Sequence, residues 1–95
     1  MKKFVLLYTM NSCPFCQDMK DLLREADIDY YERDVDTYKD EYEEFVNLTE
    51  NDYLPSFSIL TLDKGNEVVD YEYLVPEESF QDLNEAVEKI REKIS

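Results

Sequence analysis

The chain has 95 residues, 24 acidic and 10 basic with no histidine, for a net charge of −14. That length predicts one domain over residues 1–95 with a single core. The 43% apolar and 14% aromatic content is enough to fill it, which excludes a disordered chain. The charge excludes nucleic acid and anionic membranes as expected partners, because both require clustered Lys and Arg; most of the carboxylates read as solvated helix and strand faces.

The opening MKKFVLLYTM carries two lysines and a short apolar run, Phe4 to Leu7. The run is shorter than a secretory h-region, and no small-residue cleavage site follows it. No segment approaches membrane-spanning length. Phe4 to Tyr8 therefore reads as a strand buried on both faces, in a protein expected in the cytoplasm. Phe15, Met19, Leu22, Leu23 and Ala26 then recur at helical spacing, predicting a first helix over Pro14 to Ala26. Pro14 suits its first turn, where a missing N–H costs nothing.

The stretch IDYYERDVD reads as a second strand. Tyr38, Tyr42, Phe45, Val46 and Thr49 share one face of a second helix. Asp36 or Thr37 is its expected cap, and Asp40 and Glu41 suit its N-terminal dipole. A third strand follows in YLPSFSILTL, with Phe57 and Ile59 alternating against Ser56 and Ser58. Asp63 to Asn66 is a turn, with Gly65 expected to take a positive φ. EVVDYEYL returns as the fourth strand of an antiparallel hairpin. Phe80, Leu83, Val87, Ile90 and Ile94 form the apolar stripe of a last helix, preceded by Pro76 and ending among cations. The order is β-α-β-α-β-β-α. It predicts an α/β fold: a mixed four-stranded sheet with helices on both faces and a parallel, right-handed first crossover.

Cys13 and Cys16, the two cysteines of the chain, follow the first strand and open the first helix. In a reducing compartment such residues are more often catalytic or metal-binding than structural. A strand, Cys-x-x-Cys and helix in a βαβ context is a thioredoxin-like redox pattern. Cys13 at the helix start faces unpaired backbone N–H groups and the positive end of the dipole, which favour thiolate over thiol. Cys16, nearly one turn further in, is expected to be more buried and to resolve a mixed disulfide formed on Cys13. Three alternatives stand beside this reading. Zinc needs about four ligands, so a site here would require a second chain or added carboxylates. A structural Cys-x-x-Cys disulfide closes a loop too small to remove much chain entropy. Two small core residues without chemistry would leave the helix-start placement unexplained.

The segment VLLYTMNSCPFCQDMKDLL resembles the active-site segment of dithiol glutaredoxins. There a strand ending Tyr-Thr precedes Cys-Pro-Tyr/Phe-Cys and an amphipathic helix. The resemblance reaches Pro55 and implies a thioredoxin-like fold. In these families a proline after a hydrophobic residue is cis and faces the cysteines, so Tyr53, Leu54 and Pro55 are expected to bind substrate along a strand edge. Catalysis is assigned by the resemblance to Cys13 and Cys16, with Pro14, Phe15 and Tyr8 as support.

Two departures matter. Glutaredoxins generally carry Lys or Arg three residues before the first cysteine, where this chain has Met10. Met10 is accordingly expected among the substrate-binding residues. Glutaredoxins also carry a Gly-Gly cradle before the last helix, where this chain has EYLVPEES. Lys20, Arg24, Lys2 and Lys3 are candidate substitutes for the missing cation, though solvated lysines and arginines are the simpler expectation. The longer hairpin is more like thioredoxin, but the chain lacks tryptophan and a carboxylate in its first strand. The expected function is thiol–disulfide exchange on protein disulfides or glutathione mixed disulfides. No bound cofactor or metal is expected; electrons would come from glutathione as reductant or co-substrate, or from a flavoprotein reductase. A monomer is expected. The alternatives are a glutathione-independent redoxin and a redox-inactive adaptor that binds protein.

Overall fold

The computed structural model describes residues 2–95. Its strands are β1 (Lys2–Thr9), β2 (Tyr31–Asp34), β3 (Ser56–Leu62) and β4 (Val68–Leu74), and its helices α1 (Pro14–Glu25), α2 (Lys39–Thr49) and α3 (Leu83–Ile94). They follow one another in the predicted β-α-β-α-β-β-α order. The sheet order is β2-β1-β3-β4. β1 pairs parallel with β2, placing Tyr8 opposite Arg33, and antiparallel with β3, placing Tyr8 opposite Ser56. β3 and β4 form the antiparallel hairpin.

β1 is central, and its residues Val5 to Thr9 are buried. Alternate side chains of a strand point to opposite faces. Val5 and Leu7 join Phe57, Ile59 and Leu74 on one face, where Met19 and Leu23 of α1 and Ala86, Val87 and Ile90 of α3 close the main core. Tyr8 points to the other face and meets Phe45 of α2, with Tyr42, Tyr73 and Leu54 around it. The predicted two-faced burial of β1 is thus present, and helices lie on both sides of the sheet.

Local rules account for the helix ends. Cys13 is the extended N-cap of α1, and Pro14 opens the helix. Asp82 caps α3 by accepting the Glu85 N–H at 2.8 Å, while the Glu85 carboxylate accepts the Gln81 N–H at 2.6 Å. The first bond satisfies a donor that a helix start leaves unpaired, and the second fixes the residue before the cap. Arg91 and Lys93 complement the dipole in the last turn of α3.

Several boundaries differ from the sequence expectations. β2 is four residues long, because Asp27 turns the chain at φ 60° and Ile28 drops into the core before the strand starts. Neither Asp36 nor Thr37 caps α2. Tyr38 is the N-cap without a side-chain bond, and the Asp34 carboxylate accepts the N–H groups of Asp36 and Thr37. In the hairpin turn Asn66, not Gly65, takes the positive φ, at 62°. The Asp63 carboxylate organises that turn by accepting the N–H groups of Gly65 and Glu67. Phe80 is buried but lies before α3, packed against Phe57. Phe15 does not face the core as the helical spacing implied; it is 62% exposed, and Cys16, Met19 and Leu23 form the buried stripe.

This core assignment has a direct check. Phe57→Ala should cost about 3–5 kcal/mol of stability, because the side chain is fully buried between the sheet and the layer of α1 and α3. Phe15→Ala should stay within about 0.5 kcal/mol. Chemical denaturation of both variants measures the difference.

Candidate active site

β1 carries the chain to one end of the sheet, and the turn Met10–Ser12 redirects it into α1. The turn closes with the Cys13 N–H donating to the Met10 carbonyl at 3.1 Å. The side chain of Cys13 then occupies the N-cap position. Its Sγ accepts the Cys16 N–H at 3.2 Å, one of the helix donors with no partner inside the helix. The two cysteines form a disulfide, with Cα atoms 5.3 Å apart. Cys16 is 1% exposed and Cys13 is half-buried, so reagents reach the two sulfurs unequally.

A second segment approaches from β3. The Tyr8–Ser56 register puts Pro55 next to the Thr9 end of β1, at the same end of the sheet as the cysteine turn. The Leu54–Pro55 peptide bond is cis. Asn51 holds this segment: its carbonyl accepts the Tyr53 N–H at 3.0 Å, and its amide donates to the Pro76 carbonyl at 3.0 Å. The Ser56 hydroxyl donates to the Tyr53 carbonyl at 2.6 Å. Asn51 is buried, so its bonds tie the proline loop to the chain leading into α3. Sequence reasoning passed over it; an Asn after the second helix carries no signal of its long-range partner.

The expected site residues separate into groups. Cys13, Cys16 and Pro14 lie on the cysteine turn and the start of α1. Pro55 is buried and Leu54 half-buried at the neighbouring strand end. Met10, Phe15 and Tyr53 are 41%, 62% and 55% exposed and give this end of the molecule an apolar rim. Tyr8 belongs to the opposite layer from α1. Its ring packs 4.6 Å from that of Phe45, and its hydroxyl donates to Glu41 at 2.8 Å. Burial pushes its phenol pKa well up, with Ser58 opposing and Glu41 reinforcing.

One polar group was not anticipated. Thr9 is buried, and its hydroxyl donates to the Glu32 carboxylate at 2.6 Å; Lys20 pairs with the same oxygen at 3.0 Å. Lys20 stands one helical turn beyond Cys16, on the same side of α1. The Thr9 bond and then Lys20 hold the Glu32 carboxyl below its ordinary pKa, against the opposing effect of burial. Lys20 is therefore engaged with Glu32, and Arg24 pairs with Asp21. Lys3 donates to the Lys93 carbonyl at the far end of β1. None of these three replaces a cation at position 10. Among the described residues no group of three or more metal-ligating side chains converges, and no helix is long and apolar enough to cross a membrane.

Known proteins share this fold. The glutaredoxin family model matches residues 5–58. A variant of the thioredoxin-like protein BC3987 is 18% identical with a TM-score of 0.58, covering 96% of this chain and 99% of that one. The unmodified BC3987 structure is 22% identical with a TM-score of 0.53, covering 93% and 96%. A thioredoxin from Thermus thermophilus is 20% identical with a TM-score of 0.53, covering 97% and 73%. At these identities the likeness is one of fold. No curated protein sequence matches.

The Glu32 network predicts a pH dependence of known sign. A carboxylate whose folded pKa is depressed stabilises the protein fully above its unfolded pKa, about 4.3, and loses that contribution as pH falls through the folded value. Thr9→Val and Glu32→Gln should therefore lower stability at pH 6–7. Their deficit relative to the wild type should shrink as the pH drops below about 4. Denaturation midpoints measured from pH 7 to pH 3 test this.

Proposed function

The chain belongs to the glutaredoxin family, and from that premise we propose that it is a thiol–disulfide oxidoreductase working through Cys13 and Cys16. The observation that carries this reading is the Cys16 N–H aimed at Cys13 Sγ at the N-terminus of α1. In the reduced protein the same donor and the helix dipole favour a thiolate on Cys13. That thiolate attacks one sulfur of a substrate disulfide. A mixed disulfide forms on Cys13, and the other substrate sulfur leaves as a thiolate that takes up a proton. Cys16 then loses its proton and attacks Cys13 Sγ. This closes the Cys13–Cys16 disulfide and releases the second substrate thiol. Two electrons pass from the protein dithiol to the substrate. Two equivalents of glutathione, leaving as glutathione disulfide, or two electrons from a flavoprotein reductase restore the dithiol.

Pro14 starts the helix that presents the sulfur. Leu54 and Pro55 offer a strand end beside it, and the apolar rim of Met10, Phe15 and Tyr53 suits a protein segment better than a small anion. The absence of a basic side chain at position 10, together with the engagement of Lys20 by Glu32, favours a second reading. In it the physiological electron donor is a reductase, and glutathione serves poorly. A charge-assisted contact is worth about 1.5–3 kcal/mol. Its loss weakens glutathione binding by about tenfold or more.

Cys13→Ser should abolish turnover, and Cys16→Ser should trap a mixed disulfide on Cys13. In the reduced protein, iodoacetamide at neutral pH should alkylate Cys13 well before Cys16. Equal rates at the two thiols contradict the assigned roles.

The electron source is decided by parallel turnover assays, one with glutathione and its reductase and one with thioredoxin reductase. Glutathione affinity should be weak, and weaker still at low salt, where repulsion from a chain of charge −14 is least screened. Met10→Lys should raise glutathione-dependent turnover. Tight glutathione binding unchanged by Met10→Lys eliminates the reductase reading.

A further inference from the structure

α2 covers only part of its face of the sheet. It is 11 residues long and seats Phe45 over Tyr8. Beside it lies a cleft of about 400 Å³, floored by Leu6 and Leu60. Tyr71 and Tyr73 of β4 line it from the sheet, their rings 6.5 Å apart and 18° from parallel, and Glu44 and Leu48 line it from α2. Leu48 and Tyr71 are 61% and 56% exposed. The cleft opens on the layer opposite α1, so it is separate from the cysteine turn.

The chemistry of the cleft favours a cation. Glu44 has no ion-pair partner among the described residues. It lies near enough to Tyr73 to help raise that phenol's pKa, after burial and Tyr71. Aromatic faces attract guanidinium and ammonium groups, and an adjacent carboxylate strengthens the attraction. The chain already satisfies this combination internally on the same face. The Arg33 guanidinium lies 4.6 Å from the centre of the Tyr38 ring and 3.6 Å from the Glu41 carboxylate. Tyr71, Tyr73 and Glu44 repeat the pairing of aromatic ring and carboxylate without the cation. A net charge of −14 draws basic surfaces toward the molecule.

We propose that this cleft docks an Arg or Lys side chain of a partner protein, carried on an extended segment with apolar neighbours. The aromatic rings take the face of the cation, Glu44 takes its charge, and Leu6, Leu48 and Leu60 take the apolar neighbours. A second copy of this chain is a poor occupant. Antiparallel self-pairing of β4 about Tyr71 sets Asp70 of one copy opposite Glu72 of the other, and like charges in that position repel. The site does not depend on the cysteine chemistry.

The test is a titration of the isotope-labelled full chain with acetyl-Leu-Arg-Leu-amide, followed by NMR. The counterpart peptide carries citrulline, a neutral isostere, in place of Arg. Saturable amide shifts should cluster at Glu44, Leu48, Tyr71 and Tyr73. The citrulline peptide should bind about tenfold more weakly, as should the Arg peptide to Glu44→Gln and to Tyr71→Ala. Glu88→Gln removes an exposed carboxylate from α3, on the other face, and should leave binding unchanged. All three variants should keep wild-type disulfide reduction on a small substrate. Equal binding of the citrulline peptide overturns the proposal. So does an equal loss in Glu88→Gln, which would mean diffuse attraction to a polyanion. Shifts centred on the cysteine turn, no saturable shift, or self-association lost in Tyr71→Ala overturn it as well.

Discussion

The bond between the Cys16 N–H and Cys13 Sγ requires a sulfur to sit at the first turn of a helix, and the rest of the molecule is arranged to keep it there. A helix of 12 residues is marginal by itself in water. α1 is held by burying Met19 and Leu23 against Val5 and Leu7 of β1, and by sharing that layer with α3. β1 is fixed in turn by pairing on both sides, parallel to β2 and antiparallel to β3. The turn of three residues between Thr9 and Cys13 leaves little slack. The position of the sulfur is therefore set by the sheet rather than by a flexible loop.

The same sheet end gathers groups that are distant in sequence. Asn51 links the proline loop to Pro76, and the Tyr8–Ser56 register aligns that loop with the end of β1. Beneath the start of α1, Thr9, Glu32 and Lys20 join three consecutive elements through one carboxylate. Buried polar side chains are costly without partners, and Thr9 and Asn51 both have them. These bonds fix the relative positions of β1, β2, α1 and the proline loop more specifically than apolar contact alone.

The two faces of the sheet serve different ends. The face beneath α1 and α3 is closed, with Leu7, Met19, Leu23, Phe57 and Ile90 fully buried. The face beneath α2 is partly open and lined with aromatic rings and carboxylates. Tyr8 belongs to this second face although it adjoins the cysteine turn in sequence, because side chains alternate along a strand. The resemblance to glutaredoxins placed it with the cysteines; the pleat places it with Phe45 and Glu41.

The sequence by itself determined the element order, the mixed sheet and the placement of Cys13 at a helix start. Those features follow from local signals: apolar periodicity, turn residues, and a proline that tolerates only the first turn of a helix. Tertiary structure decided the rest. It turned Phe15 outward, because α1 rests on the sheet through the Cys16–Met19–Leu23 stripe, a choice that helical spacing leaves open by one residue. It gave the positive φ to Asn66 rather than Gly65, since the Asp63 carboxylate holds the Gly65 N–H and sets the course of the turn. It paired Glu32 with Thr9 and Lys20, and Asn51 with Pro76, across separations of 12 to 25 residues. Such partners come together only when strands align, and neither residue of a pair carries a local mark of the other.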